Sequence, residues 1–551
     1  MTLTKTTTIV ATRGSVTATF AAAYISVALA QITNALPGAL NGTFAAEFQT
    51  SGAGLTWISA IFSLGIVVFE LTFGLLGDLF GRKKLLVAGS MLVLVGAVIA
   101  ALAGTTGVMI LAQAIGGVGA GILFPIGLSM VVALTPDHRR RARIIATWAG
   151  FLSLGAVISP VLAGLTAHLF TTADFSGWRV AYWTAAGVAV ILVIIAANSR
   201  DSSAPEGRRL DLPGQITLAV GLIAVLYATV QAVDSGFTAV DVVAGYVIGA
   251  ILLVAFVIIE AKSPAPMLHL SLFKNSAYAI SGIVAVTGMF AFLAICFSTS
   301  VAVGGLAQAE TWKIGVLFVF IQGPAFLLIP VVGWLIHTVS PRWVLSVGFA
   351  LMAISGIWLS TYTLGVPESV GGPSWTTFIP PLLCLGIGFA LTVGSITAVA
   401  INTVDPGYVG MASATTNLLR DLGFALGPVV GSAIAFSIGA ALFGTPVLSV
   451  LNGLGLPPDA VAGLAHVPPL AWLSGWDGVI GQFSGQALAG GAPPATVDGL
   501  VASLQGARAQ LSGAAGTSLG SGFQTVYLVA GISAAVSAVL TLFISRNPNT
   551  H

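Results

Sequence analysis

Three ionisable side chains stand inside long apolar stretches of this sequence: Glu70, Arg420 and Asp421. Placing a charge in hydrocarbon costs about 3 kcal/mol or more, so each of these groups requires a partner or a wet cavity. A carboxyl group in such a place can also take up and release a proton. These three residues are therefore the first candidates for chemistry in the chain.

A second group of functional residue types follows Glu70 in the segment 77–84, which reads Gly-Asp-Leu-Phe-Gly-Arg-Lys-Lys. It separates two apolar stretches. Glycine lets the chain reverse within a few residues, because without a Cβ it can adopt positive φ. Lys and Arg are retained on the cytoplasmic side of a membrane. The segment therefore predicts a tight cytoplasmic turn, with Asp78 placed to hold two neighbouring helices together.

The composition excludes a soluble protein. Of the 551 residues, 56% are hydrophobic and only 7% are charged, and the mean hydropathy is +1.01. A soluble domain has about a quarter of its residues charged, enough to cover a water-facing surface. Most of the exterior of this protein must instead face lipid. The predicted fold class is an all-α membrane protein.

Several kinds of chemistry are missing from the sequence. It has no phosphate-binding G-x-x-x-x-G-K-[ST] segment, so ATP hydrolysis is not the energy source. The two cysteines, Cys296 and Cys384, lie in apolar runs, and the six histidines are scattered. We therefore expect no enzyme activity, no metal site, no cofactor and no nucleic-acid partner.

Apolar stretches of about 20 residues, long enough to cross a bilayer, recur along the whole chain. We predict fourteen spans, and an even number puts both termini on one side. All Lys and Arg residues except Arg179, Lys313, Arg420 and Arg508 fall on that side. This asymmetry predicts that both termini are cytoplasmic.

The sequence also repeats itself, which indicates two related halves. A shift of 259 residues lays Gly74 on Gly333 and Gly89 on Gly348. A shift of 268 lays Gly155 on Gly423 and Pro160 on Pro428. Transporters with parallel halves hold their substrate between them near the midplane. The repeat predicts two six-helix bundles separated by an extra helix pair.

The expected organisation divides the chain into five parts. They are an N-terminal six-helix bundle (1–200), two extra transmembrane helices with their linkers (201–275), the first five helices of a C-terminal bundle (276–442), an extracytoplasmic insert (443–522), and the last transmembrane helix with a cytoplasmic tail (523–551).

The fifth and thirteenth predicted spans are rich in small residues and proline. Small residues four apart let helix backbones approach closely, and a proline inside a helix adds a bend. Ordinary packing in the membrane is the alternative explanation for any one of these glycines. The positions are Gly155, Pro160 and Gly164 in the fifth span, and Gly423, Gly427, Pro428 and Gly431 in the thirteenth.

These motifs resemble those of the major facilitator superfamily. The turn matches its signature loop G-x-L-[AS]-D-x-x-G-R-[KR]-x at Gly74, Asp78, Gly81, Arg82 and Lys83. The resemblance implies that this loop acts as a conformational gate. The glycine-rich spans resemble the antiporter motif G-x-x-x-G-P-x-x-G-G of the export branch. The chain as a whole, except the insert, resembles the fourteen-span drug:proton antiporter family. That resemblance implies export of hydrophobic drugs or antibiotics by alternating access, driven by protons, from a bacterial cell membrane.

In the fold that this sequence resembles, the second and thirteenth spans meet between the two halves. We hypothesise that Glu70 pairs with Arg420 when the cytoplasmic side is closed, and that protonation of Glu70 weakens the pair. Asp421 is a second candidate for proton coupling. A static ion pair that only fixes helix register is the alternative. Gln113 stands where proton-coupled relatives carry an arginine, and the first span has no acid before Asn34, so uncoupled export remains open.

Uncharged polar and aromatic residues within the spans suggest an amphipathic pocket for a small hydrophobic substrate. Hydrogen bonding between helices is the alternative role for each of the polar ones. The candidates are Tyr24, Gln31, Asn34, Gln113, Phe124, Gln322 and Asn417.

The insert of about 80 residues is longer than unstructured loops usually are unless they have a function. It suggests either a mobile insert or an amphipathic cap that helps an apolar cargo to leave. The second possibility would favour a lipid or glycolipid exporter, and a membrane scaffold without transport is a further alternative. We expect a monomer in contact with membrane lipids.

Overall fold

The computed structural model describes residues 15–135, 137–203, 211–263, 266, 268–404 and 409–544. Within these ranges the secondary structure is helical, apart from one isolated bridge between Ser15 and Ser199. In the described part of the chain thirteen helices are long and apolar enough to cross a membrane, and a bent pair of shorter helices gives a fourteenth candidate span. The all-α fold and the expected number of spans are confirmed.

The first half of the molecule is a bundle of six helices. Its first helix is 33 residues long. It passes through Pro37 and the polar residues that follow, and it ends at Phe48. The helices are α1 (Val16–Phe48), α2 (Gly52–Phe80), α3 (Arg82–Leu102), α4 (Thr106–Ala133), α5 (His138–Phe170) and α6 (Arg179–Ala197).

Two further helices, α7 (Leu212–Ser235) and α8 (Val240–Lys262), pack on each other and lie beside the contact between the two halves. The inner face of α7 places Leu226 and Val230 against Leu64 on α2 and Val429 on α14. Much of α8 is instead exposed, including Val247, Ile251 and Val254. Such an apolar exterior is expected of a helix that faces lipid.

The second half repeats the first with one broken span. Its helices are α9 (Ser276–Thr299, continued by a π-helical segment, Ser300–Leu306), α10 (Thr311–Leu327), α11 (Ile329–Thr338), α12 (Pro341–Ser360), α13 (Ile379–Ile401), α14 (Val409–Gly453) and, after four short helices, α19 (Arg508–Leu542). The axes of α10 and α11 differ by 48°, so this candidate span is bent at the break between the two helices. Pro324 and Pro330 supply the physical reason, since neither has a backbone N–H to donate.

The internal repeat appears as the same glycine contact in both halves. A Cβ on Gly89 of α3 would lie 3.1 Å from the carbonyl oxygen of Gly119 on α4. A Cβ on Gly348 of α12 would lie 2.8 Å from the carbonyl oxygen of Gly388 on α13. Each pair allows two helices to pack with their backbones in contact.

The segment expected to be an extracytoplasmic insert is folded. Helix α14 continues to Gly453, beyond the expected bundle boundary at residue 442, and α19 begins at Arg508, before the expected boundary at 523. Between them lie α15 (Pro458–Ala465), α16 (Pro469–Ser474), α17 (Trp476–Ala489) and α18 (Pro494–Gly506). Their apolar residues pack on the extensions of α14 and α19 in one cluster that includes Phe443, Leu451, Trp472, Phe483 and Leu511. We call residues 454–507 the cap.

Candidate transport cavity and gates

A cavity of about 160 Å³ lies between the two halves. Helices α1, α2, α4 and α5 line it from the first half, and α9, α10, α13 and α14 line it from the second. We call the end of the bundle that carries the turn at Gly81 the near side. The end that carries the turn at residues 49–51 is the far side.

Four of the predicted pocket residues line this cavity: Gln31, Asn34, Phe124 and Gln322. Two of them come from α1, one from α4 and one from α10. Asn34 accepts a hydrogen bond from Ser63 on α2 at 3.1 Å, which fixes its side chain at the cavity wall. Both halves of the molecule therefore contribute uncharged hydrogen-bonding groups to the cavity wall.

Three other predicted pocket residues are not in the cavity wall. Tyr24 stacks on Phe151 of α5, with ring centroids 5.1 Å apart. Gln113 is buried inside the first bundle and donates to the Tyr182 hydroxyl at 2.8 Å. Asn417 accepts a hydrogen bond from Thr397 at 3.2 Å. The polar groups of Gln113 and Asn417 thus bind neighbouring helices of their own half, and a role of these three residues in substrate binding stays a prediction.

Phenylalanines make up a large part of the wall, and sequence reasoning found only one of them. Phe292 and Phe389 stack with ring centroids 3.9 Å apart, and Phe424 meets both rings at 6.2 Å. Phenylalanine is abundant in this chain, with 29 residues, so its presence in a span carries little signal. The phenylalanines that line the cavity are Phe124, Phe292, Phe297, Phe318, Phe389 and Phe424.

The three membrane-embedded charges lie together at the cavity. Arg420 and Asp421 are part of its wall. The guanidinium donates to both oxygens of Asp421, from Nε at 2.9 Å and from Nη2 at 3.2 Å. The electrostatic neighbours of Glu70 are Asp421 and Arg420. Its Oε2 atom is buried and has no hydrogen-bond partner among the residues that the structure describes.

The predicted ion pair between Glu70 and Arg420 is not formed in this conformation. Arg420 instead forms a forked pair with its neighbour in sequence, a geometry that guanidinium and carboxylate groups favour. Asp421 is thus the partner that the sequence analysis did not assign to Arg420. The pairing was predicted for a form that is closed on the cytoplasmic side, and for that form it stays a prediction.

The turn between α2 and α3 has the geometry expected from its sequence. Gly81 has φ +104°, which a residue with a Cβ rarely adopts. Asp78 and Arg82 are buried, and one oxygen of Asp78 accepts from Arg82 Nη2 at 2.6 Å and from Nε at 2.9 Å. Gly74 packs near Pro125 of α4. Asp78 therefore joins α2 to the start of α3.

The glycine positions of α5 and α14 mediate equivalent contacts. A Cβ on Gly155 would meet the main chain of Ala28 on α1, and a Cβ on Gly423 would meet the main chain of Val286 on α9. Gly427 likewise faces Leu293 and Ala294 of α9, and Gly431 faces Val526 of α19. The two motifs thus pack α5 and α14 on the first helix of their respective halves.

The two halves touch closely on the far side. A Cβ on Gly42 of α1 would lie 2.9 Å from the Cα of Gly304 in the π-helical segment, and Asn41 donates to Ser300 at 3.2 Å. Nearby, a Cβ on Gly164 would lie 3.0 Å from the Cα of Trp312. We call the contact of residues 41–43 with residues 300–304 the far-side seal.

Comparison with known proteins agrees with this architecture. The family model of the Major Facilitator Superfamily matches residues 23–428. Multidrug resistance protein Stp of Mycobacterium tuberculosis is 27% identical over 398 residues, which cover 72% of each chain. Drug efflux pump JefA of the same species is 26% identical over 405 residues, 72% of this chain and 76% of its own. Multidrug resistance protein 3 of Bacillus subtilis is 22% identical over 376 residues, 68% of this chain and 71% of its own.

Solved structures of low sequence identity share the fold. A structure from work on substrate recognition in proton dependent oligopeptide transporters has a TM-score of 0.56 and 16% identity. The match covers 96% of this chain and 98% of the transporter chain. A peptide transporter POT in complex with sulfate has a TM-score of 0.54 and 15% identity, over 76% and 88% of the two chains. The protein is therefore no enzyme but a multi-pass protein of the bacterial plasma membrane, and it belongs to the Major Facilitator Superfamily.

Proposed function

We propose that the protein is a secondary active exporter of hydrophobic or amphipathic organic compounds. The observation that carries this proposal is the central cavity, which both halves line with phenylalanine rings and uncharged polar groups. Apolar and aromatic walls with a few polar groups are typical of sites for organic molecules. The multidrug efflux relatives support export of drug-like compounds.

The mechanism that we infer is alternating access by rocking of the two halves. The far-side seal consists of the backbone contact between Gly42 and Gly304 and the hydrogen bond from Asn41 to Ser300. Beside it, the hydroxyl groups of Thr43 and Thr311 share a hydrogen bond at 2.9 Å. Parallel halves that rock around a central site are the usual way for this architecture to expose a substrate to each side in turn.

Proton antiport is the proposed driving force. Glu70 lies beside a guanidinium that can choose between two carboxylates, Asp421 and Glu70. Protonation of Glu70 removes one of the two competing negative charges and leaves Arg420 on Asp421. Loss of that proton would let Arg420 shift toward Glu70 and draw α2 and α14 together on the near side. Each movement of the Arg420 guanidinium between Asp421 and Glu70 thus links the gain or loss of one proton to the rocking motion.

The test is drug transport in proteoliposomes with an imposed pH gradient. We expect substrate to accumulate only when protons can flow in the opposite direction, and the pH dependence of transport to flatten in Glu70→Gln. A matched control is Gln113→Glu, which places a carboxyl group inside one bundle, away from the cavity. Gradient-independent export that equilibrates the substrate would indicate an uncoupled facilitator. A pH profile of Glu70→Gln equal to that of the unmodified protein would exclude Glu70 as the proton site.

The observations do not favour the alternative of a lipid exporter that uses the cap as an apolar path. The large apolar side chains of the cap are mostly turned inward, with Trp472 and Leu504 fully enclosed. Leu488 is its main exposed large apolar residue. Both halves that line the cavity belong to one chain, so we continue to expect a functional monomer.

A further inference from the structure

Helix α3 has no N-cap of its own. It begins directly after Gly81, which has no side chain to accept a hydrogen bond from the first turn. The first backbone N–H groups of a helix have no partner within the helix. Because Arg82 is largely buried, the N–H groups at this helix start require acceptors from elsewhere in the protein.

The segment after α6 supplies these acceptors. The N–H of Lys83 donates to Asp201 Oδ1 at 3.1 Å, and the N–H of Arg82 donates to the carbonyl oxygen of Ser202 at 3.0 Å. The same Oδ1 also accepts from the N–H of Ser202 at 2.9 Å, which holds the segment in shape. Residues 201–202 therefore cap α3 from a distant part of the sequence.

The same segment holds the Arg82 side chain. Arg82 Nη1 donates to the Ser202 hydroxyl at 3.2 Å, while Nε and Nη2 donate to Asp78. A carboxylate at the N-terminus of a helix is stabilised by the helix dipole as well as by the hydrogen bonds. Asp201 thus acts on Arg82 by fixing the turn from which the guanidinium reaches Asp78.

The position of Asp201 gives a second reason, besides the positive φ, why residue 81 must be glycine. A Cβ on Gly81 would lie 3.0 and 3.2 Å from the two carboxylate oxygens of Asp201. The carboxylate occupies the space that a side chain would need. The positive φ and the close approach of Asp201 are two independent demands on the same residue.

Residues 198–200 extend this contact to α1. Ser15 donates its N–H to the carbonyl oxygen of Asn198 at 3.1 Å, and the N–H of Arg200 donates to the Thr19 hydroxyl at 2.8 Å. The segment 198–202 therefore fastens the starts of α1 and α3 to the end of α6 on the near side.

We propose that Asp201 is a positioning residue for the gate formed by the turn between α2 and α3. It keeps Arg82 and Asp78 paired while the halves move, so that the first half rocks as one rigid body. This role rests on the proposed function as an exporter, but the geometry that it predicts can be measured without substrate.

The test compares Asp201→Ala and Asp201→Asn with the control Asp174→Ala, which changes an exposed acid in the far-side loop between α5 and α6. Hydrogen exchange is followed by mass spectrometry in a peptide that covers residues 80–86, without substrate or gradient. We expect exchange of the Arg82 and Lys83 amides to accelerate about fivefold in Asp201→Ala, the usual effect of losing a helix cap. Asp201→Asn keeps an acceptor oxygen and should stay close to the unmodified protein.

Transport provides the second measurement. Asp201→Ala should lower the maximal rate several-fold and leave the substrate Kd unchanged, because the cavity is remote from this turn. Unchanged exchange in Asp201→Ala would overturn the capping role. Faster exchange with an unchanged maximal rate would overturn the role in gating. If the protein transports no organic compound at all, the exchange result still stands, so failure of the proposed function is recognised separately.

Discussion

At the scale of single residues, the aromatic wall and the charged cluster have different tasks. We expect the phenylalanines to provide apolar contact with a substrate, whereas Arg420 and Asp421 form a pair in which the charge is already neutralised. A neutralised pair can remain in an apolar wall at lower cost than a single charge. Affinity and coupling should therefore respond to different substitutions.

The first prediction concerns Phe389, which stacks on Phe292 in the cavity wall. Phe389→Ala removes aromatic contact worth about 1 kcal/mol, so we expect the Kd of an aromatic substrate to rise about fivefold. The pH dependence of transport should not change, since no charge is touched. The matched control is Phe80→Ala, at a site that is 65% exposed. Equal affinities of the two variants for substrate would contradict a role of the stack in binding.

Residue types alone locate only part of this site. Gln31, Gln113 and Gln322 look alike in the sequence, yet only Gln31 and Gln322 reach the cavity. Gln113 differs because Tyr182, far away in the sequence, offers its hydroxyl inside the bundle. Local sequence cannot reveal such a partner, because it depends on which face of α4 turns toward α6. The pairing of Arg420 with Asp421 was missed for the opposite reason. The predicted partner, Glu70, is distant in the sequence, whereas the observed partner is the next residue.

At the scale of elements, hydropathy and glycine spacing predicted most of the fold. The spans are determined by apolar runs, and the repeat by glycines such as Gly89 and Gly348 that are needed for backbone contact. The bend between α10 and α11 was not predicted, although Pro324 and Pro330 mark it. Proline within a span is often tolerated by neighbouring helices, so its presence alone does not indicate a break.

The second prediction concerns the far-side seal. Gly42→Val places a branched side chain against the main chain of Gly304, so the seal cannot close as it does here. We expect the population to shift toward a form open on the far side. The measurement is the rate at which a membrane-impermeant maleimide labels a cysteine at position 41, introduced as Asn41→Cys. Labelling should accelerate at least several-fold.

The control for this experiment is Gly107→Val, at the start of α4, where a Cβ would meet no atom within 4 Å. Both variants add the same side chain to a helical glycine of the first half. If Gly107→Val accelerated labelling as much as Gly42→Val, the effect would reflect general loosening of the bundle. Unchanged labelling in Gly42→Val would show that the seal does not limit access from the far side.

The third prediction concerns the glycine contact of α5 with α1. Gly155→Leu forces these helices apart, because a Cβ at this position already meets the main chain of Ala28. Overpacking of this kind costs about 1–3 kcal/mol, so we expect a lower melting temperature in detergent. Gly187→Leu on α6, where a Cβ would meet nothing within 4 Å, should melt as the unmodified protein does. Similar melting of both variants would contradict a structural role for the motif.

At the scale of the whole molecule, the cap touches both halves across the far-side seal. Leu470 of α16 is buried in the same apolar cluster as Val301 and Val303 of the π-helical segment. On the other side of the seam, the Gln49 side chain lies 2.9 Å from the position that a Cβ on Gly478 would occupy. The cap therefore bridges the seam that the proposed alternating access would open.

The last prediction follows from this bridge. If the halves separate on the far side, the contact between residues 49 and 478 has to break in every cycle. Gln49→Cys and Gly478→Cys, joined by a short bifunctional maleimide in a background with Cys296→Ala and Cys384→Ala, should therefore stop transport. Each single cysteine treated with the same reagent is the control and should transport normally. Substrate binding from the near side should survive in the cross-linked protein, because the far-side seal is closed when this contact is made. Full transport after quantitative cross-linking would show that the contact between residues 49 and 478 does not break during transport and that the cap does not control the far-side seal.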